Sequence, residues 1–140
     1  MTLQLIVPDS PTDDDREAVL APLRAYNIAK AGSLRFKPVA ILLTDDAGNQ
    51  VGGLWGECVY DWLFIEYLAV PEAYRGAEYG TALMARAESI AREHGCTGIW
   101  LDTFSFQARG FYEKLGFEVF GTIDDFPPGH QRFFLRKRLG

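Results

Sequence analysis

The hydrophobic pattern changes period several times along the 140 residues. Leu3, Leu5 and Val7 recur at every second position, the period of a strand, and the segment from Pro8 to Pro11 closes it. Thr12 to Asp15 then supply a cap and first-turn acids for a helix whose apolar positions include Val19, Leu23, Tyr26 and Ile28. Pro22 falls inside that helix and predicts a kink or two short helices, ending near Gly32. Residues 36–44 and 50–60 read as strands joined at the turn formers Asp45, Asp46, Ala47, Gly48 and Asn49.

Residues 62–70 form another strand, apolar along almost its whole length. Such a run predicts burial on both faces, which makes Glu66 a costly residue to place there. From Tyr79 to His94 the spacing of Leu83, Ala87, Ile90 and Ala91 is helical, and Gly95 suits the C-terminal cap. Ile99 to Asp102 is a strand, and residues 107–115 are a short helix that stops at Gly116. Phe117 to Gly121 and Arg132 to Arg138 complete the strands. Neither a repeat nor a low-complexity segment interrupts this order. Three strands in succession, with helices before and after them, imply a mixed sheet covered by helices, an α/β (α+β) chain.

Composition narrows the picture. At 140 residues, 48% hydrophobic, the chain fills one core and is short for two, so residues 1–140 are expected to form a single domain. A net charge of −5 removes the basic footprint of a nucleic-acid binder, and the run Arg136-Lys137-Arg138 reads as a solvated strand end. Cys58 and Cys96 lack the spacing of a zinc site or a disulfide framework and are expected to be buried thiols, so no metal is implied. The N-terminus has no basic leader, and no stretch approaches the ~20 apolar residues of a spanning helix. A cytoplasmic protein without a membrane partner is the expectation, and a homodimer is left open.

The chemistry concentrates in residues 70–83, where a strand runs through a short Gly-bearing turn into an amphipathic helix. Unpaired N–H groups in a first helical turn, with the positive end of the helix dipole, suit a phosphate. Within this stretch, Arg75-Gly76-Ala77-Glu78-Tyr79-Gly80 resembles the Arg/Gln-x-x-Gly-x-Gly/Ala signature of the GNAT superfamily of N-acetyltransferases, and the strand ending Leu68-Ala69-Val70 precedes it as there. Ala108 and the run Tyr-Glu-Lys-Leu-Gly-Phe at 112–117 are similar to that superfamily's second segment. Glu78 stands where the family usually has the first glycine of its pair, and Ser105 where an asparagine often begins the second segment.

The resemblance implies a mixed, mostly antiparallel sheet of six to seven strands flanked by about four helices. It also implies a cleft where strands 62–70 and 99–102 part. Acetyl-CoA would be the acyl donor, with Arg75, Gly76, Ala77, Glu78, Tyr79, Gly80 and Thr81 cradling its pyrophosphate. The backbone at Leu68, Ala69 and Val70 would face the thioester, and Ser105 and Ala108 would belong to the same cofactor site.

Acyl transfer to an amine needs the neutral nucleophile, and an alkyl amine of pKa about 10.4 is mostly protonated at neutral pH, so a base is useful. Glu66 lies where related members can carry a glutamate base, acting directly or through water. Its other reading is a carboxylate paired with a core arginine or with backbone amides. Tyr112 matches the family's general acid, which donates to the departing thiolate; its other reading is an amphipathic ring anchoring the second helix. His94 reads as a helix-end residue. Trp55, Glu57, Tyr60, Asp124, Asp125 and His130 are candidates for an acceptor site. A non-catalytic acyl-CoA-binding or sensing domain of the same fold is the rival expectation.

Overall fold

Thr12 closes a capping box at the start of helix α1 (Asp13–Ala31): its hydroxyl accepts from the Asp15 N–H, and the Asp15 carboxylate accepts from the Thr12 N–H. The computed structural model describes residues 1–140. Its contacts divide the chain into two units, residues 1–34 and residues 35–140.

In the first unit, α1 runs through Pro22 as one helix, so of the kink or two short helices that the sequence predicts, the two short helices do not form. A proline in a helix interior forfeits one hydrogen bond and costs about 3 kcal/mol. Here an Arg24–Glu17 ion pair of 2.9 Å spans the two turns that contain it. No side chain of α1 is buried. Residues 3–7, expected as a strand, form none, because a strand exists only through a ladder and these residues pair with nothing.

The second unit is a six-stranded sheet in the order β1-β2-β3-β4-β6-β5. Its strands are β1 (Lys37–Thr44), β2 (Gln50–Val59), β3 (Trp62–Ala69), β4 (Gly98–Phe104), β5 (Glu118–Asp124) and β6 (Gln131–Arg138), and its helices are α2 (Tyr79–Glu93) and α3 (Arg109–Lys114). The strand count meets the expectation; three α-helices and a 3-10 turn at Glu72–Tyr74 stand in place of about four helices. All strand pairs are antiparallel except β3 with β4, the crossover through α2. The β1–β2 hairpin turns where expected, with Asp45 Oδ1 accepting from the Ala47 and Asn49 N–H groups at 3.0 and 2.8 Å.

One face of the sheet carries the core. Leu83, Met84, Ala87 and Ala91 of α2, with Tyr112 and Phe117 from α3 and its exit, join Val39, Leu54, Leu63, Ile65, Ile99, Leu101, Phe133 and Leu135 there. Burying Leu83 and Met84 alone contributes about 1.5–3 kcal/mol each. Cys58 and Cys96 are buried as expected, their sulfurs 3.5 Å apart. Burial, and then the neighbouring Cys58, pushes the Cys96 thiol up to about 12, which removes it as a thiolate nucleophile at neutral pH.

The opposite face of this sheet presents Leu42, Trp55, Phe64, Tyr67, Trp100 and Phe134 between charged residues. Phe64 and Trp100 stack at 4.2 Å across the parallel pair.

Candidate functional site

The site begins with a missing ladder. β3 and β4 pair over only four positions, from Trp62 with Gly98 to Ile65 with Leu101, and then separate. A bulge in β3 initiates the separation. Gly56 opposes Ile65 while the adjacent Trp55 opposes Tyr67, which leaves Glu66 as the additional residue. Gly56 permits the close approach just before it, since a Cβ there would lie 2.3 Å from the Phe64 carbonyl oxygen. Beyond Ile65, the backbone groups of β3 that faced β4 no longer have that strand as a partner.

A cavity of about 1280 Å³ fills the gap, lined on one side by β3 and on the other by the end of β4, with α2 and α3 at one mouth. At that mouth the chain turns through Gly76 (φ 89°) and Glu78 (φ 62°) into α2. Glu78 is the N-cap and makes no side-chain capping bond, and the first intrahelical bond recorded at this end runs from the Ala82 N–H to its carbonyl. The earlier amides of the turn are left as donors at the positive end of a 15-residue helix. Arg75 folds back, its Nε donating to the Val70 carbonyl at 3.1 Å, and this closes the loop. A Cβ on Gly80 would meet the Phe111 ring at 3.3 Å, so the first turn of α2 and the helix α3 are in close contact.

Of the residues singled out in the sequence, Glu66, Leu68, Ala69, Val70, Arg75, Gly76, Glu78, Tyr79, Gly80, Thr81, Ala108 and Tyr112 all line this one cavity. Tyr112 lies within the core at 8% exposure. Burial first, and then the Asp102 carboxylate, raises its phenol above the ordinary value, so it holds its proton throughout the neutral range. Glu66 differs from expectation: it is exposed, because the bulge turns it out of the alternation that would have buried it. Its carboxylate beside Tyr67, as a hydrogen-bond acceptor first and then by its charge, raises the Tyr67 phenol. No core arginine is paired with it.

Other candidates stand elsewhere. Ser105 is tied into the strand ends: its N–H donates to the Gln131 carbonyl at 2.8 Å and its Oγ accepts from the Gln131 N–H at 3.0 Å. His130 has Nδ1 3.3 Å from that hydroxyl, and its ring meets the Phe106 ring edge-on at 5.1 Å. Phe106 lines the cavity, which puts His130 one layer behind the wall. Asp124 accepts from the Gln131 side chain at 2.7 Å, and Asp125 sits in the following loop at φ 56°. Trp55 and Glu57 are on β2, and Tyr60 is in the β2–β3 turn, at the end of β3 remote from the gap. Ala77 belongs to the turn before α2.

Sequence reasoning missed Asp102 and Arg132. They form a two-point ion pair, with Nε–Oδ1 at 3.0 Å and Nη2–Oδ2 at 2.9 Å, and both line the cavity. The guanidinium also lies over Phe126, Phe134 and Phe104, at 4.9, 5.3 and 5.5 Å from the ring centroids. The signal was a lone carboxylate in the apolar strand Ile99–Phe104, with an arginine in the strand that follows. Gln107 does quieter work, accepting at Oε1 from Thr103 Oγ1 and the Phe104 N–H, which satisfies the buried threonine beneath the site. No three His, Cys, Asp or Glu side chains gather where they could hold a metal ion.

With this geometry established, comparison with known proteins is informative. Residues 4–117 match the model of the acetyltransferase (GNAT) family. The blasticidin-S acetyltransferase of Streptomyces morookaense is 38% identical over 128 residues, covering 91% of this chain and 93% of that protein. The crystal structure of an acetyltransferase from Agrobacterium tumefaciens superposes with a TM-score of 0.92 at 33% identity, over 98% of this chain and all of the other. A protein from Bacillus anthracis, solved in complex with acetyl coenzyme A, shares the fold with a TM-score of 0.63 at 24% identity over 74% of this chain and 63% of its own.

Proposed function

Because the chain belongs to the GNAT family of acetyltransferases, whose acyl donor is acetyl-CoA, we propose that it moves the acetyl group directly onto a primary amine. The observation that carries this reading is that a buried, protonated tyrosine and an exposed carboxylate line one cavity opened by a bulge in the sheet. Donors at the start of α2 suit the pyrophosphate. On the side released from β4, the β3 backbone beyond the bulge offers N–H groups to the thioester oxygen.

In the proposed mechanism Glu66, directly or through a water, takes the proton of the incoming ammonium. The freed amine attacks the thioester carbonyl carbon. As the C–N bond forms and the C–S bond breaks, Tyr112 Oη donates its proton to the departing sulfur, and the second proton that the nitrogen sheds in becoming an amide restores the tyrosine through solvent. No covalent enzyme intermediate is required, and most of the rate gain is positioning.

The acceptor end of the cavity supports a cationic amine carried on a flat or apolar group. Phe64, Tyr67, Phe104 and Phe106 supply ring surface, Glu66 supplies negative charge, and Asp102 offsets Arg132. The test is release of CoA thiol with a panel of amines, including blasticidin S, simple alkyl and aryl amines, and peptides with a free N-terminus or a lysine. Turnover on cationic amines, abolished by acetylating them beforehand, is the expected result. Acetyl-CoA binding with no thiol release on any amine would replace this reading with that of a binding domain.

Glu78 gives a sharper test of the cradle. A non-glycine residue in the left-handed region costs about 1–2 kcal/mol, and a carboxylate there, turned toward solvent, opposes a pyrophosphate by about 1 kcal/mol at the dielectric of water. Glu78→Gly is therefore expected to lower KM for acetyl-CoA about threefold to tenfold. A KM that rises instead would show that the carboxylate assists the donor rather than repelling it.

A further inference from the structure

The alternation of β4 and β6 sorts the cavity wall into two sides. Ile99, Leu101 and Thr103 of β4, with Phe133 and Leu135 of β6, are buried on the core face that α2 covers, so Asp102, Phe104, Arg132 and Phe134 stand on the other face. The turn that suits the pyrophosphate belongs to the α2 side, which leaves this far side to the acceptor. Arg132 lies opposite Phe104 in the β4–β6 register and reaches diagonally to Asp102, itself opposite Phe134.

A guanidinium carries five N–H donors, and the pairing with Asp102 takes one on Nε and one on Nη2. The rings of Phe104, Phe126 and Phe134, over which the guanidinium lies, supply π faces and no oxygen acceptor. Three donors on Nη1 and Nη2 therefore remain to be met. Each oxygen of Asp102, by contrast, is already engaged, and its side chain is the less exposed of the two, 16% against 28% for Arg132. What the pair offers the cavity is the donor edge of the arginine. A planar fork held by one carboxylate and three rings is preorganised, so little rotamer freedom is left to lose when a ligand binds it.

We infer that the Nη1–Nη2 edge of Arg132 holds a carboxylate of the acceptor, which makes the acceptor a zwitterion with one amine to be acetylated and one carboxylate that orients it. This deepens the acetyl-transfer reading and rests on it. An arginine edge matches the two oxygens of a carboxylate with a parallel pair of charge-assisted hydrogen bonds. Charge favours a carboxylate over a phosphate: Glu66 and Asp102 outnumber Arg132 by one negative charge on the cavity wall, which admits an ammonium with a monoanion and opposes a dianion. With the carboxylate fixed at Arg132, the spacer between the two groups decides which amine reaches Glu66 and the thioester. Arg132 is thus a specificity-determining residue, and Asp102 positions it.

The test is titration of the protein, in the presence of CoA, with ω-amino acids of increasing chain length and with aminomethylbenzoic acids, each compared with its carboxamide and its phosphonate. At the spacer that fits, the carboxylate should bind about tenfold to a hundredfold more tightly than the carboxamide, and more tightly than the phosphonate. The double variant Asp102→Asn with Arg132→Gln removes the pair together, so neither charge is left without its partner, and the advantage of the carboxylate should vanish in it. Thiol release from acetyl-CoA on the same panel separates the two readings. Release without selectivity removes only the carboxylate subsite, and selectivity without release removes only acetyl transfer. A carboxamide or phosphonate that binds as tightly as the carboxylate at every spacer overturns the inference, as does an advantage that survives in the double variant. If that variant does not fold, the wild-type titration still decides.

Discussion

Tyr112→Phe is expected to lower kcat for acetyl transfer about 10²-fold with little change in KM for acetyl-CoA. General acids supply typically 10²–10⁴-fold, and the lower end applies because the parent thiol of the leaving group, with a pKa of about 8.5, departs with modest help. The substitution removes one hydroxyl from a ring held edge-on by Phe111 and Phe117 at 5.1 and 6.1 Å, and those contacts survive it. The variant should therefore fold as the parent does, and a rate loss reports chemistry rather than packing. The pH profile adds a second reading. Burial and Asp102 hold the phenol above its ordinary value, so the acid form is lost only above the usual phenol range, and the wild type should show no alkaline limb from this group near pH 9. An unchanged kcat in Tyr112→Phe would remove the tyrosine from the mechanism and leave the thiolate to depart unaided.

Gly56→Ala is expected to damage both the sheet and the site it opens. Its Cβ would lie 2.3 Å from the Phe64 carbonyl oxygen, an atom of the backbone that cannot swing aside as a side chain does. Overpacking of this kind costs about 1–3 kcal/mol, which at this chain length lowers the melting temperature by roughly 5–12 °C. The same displacement acts on the register that places Glu66 out of the alternation, so acetyl transfer should fall further than stability alone requires. Gly110→Ala is the control, because nothing lies within 4 Å of its Cβ. Equal melting temperatures and rates in the two variants would show that the bulge does not depend on Gly56.

The strands of residues 35–140 were legible because their apolar alternation and turn residues agree, and the hairpin at Asp45–Asn49 and the helix from Tyr79 are where local chemistry alone puts them; the same alternation at residues 3–7 misled, because it says nothing of a ladder partner. The cofactor turn and Tyr112 were legible for another reason, a family signature at two points in the right order. Three features were hidden. Glu66 looked buried because a run of apolar residues says nothing of a bulge, which depends on a glycine in the neighbouring strand. Pro22 left two short helices open as an alternative to a kink because its penalty is local, whereas the single helix that forms carries an ion pair spanning seven residues across it. Asp102 and Arg132 are thirty residues apart and meet only through the β4–β6 pairing, so no sequence spacing announces them.

The pairing of β3 with β4 also bears on the order of folding. It is the single parallel contact in the sheet, four positions long, and it joins segments separated by the whole of α2. The β1–β2–β3 meander closes through short turns, whereas this pairing must first meet the loop-closure entropy of a long crossover, which places it late in assembly. The cavity opens directly beyond that pairing, so a chain that has formed its hairpins still lacks an acetyl-CoA site. Ligand affinity then reports completion of the last step of folding, and a saturating donor would slow the reverse of that step before any other.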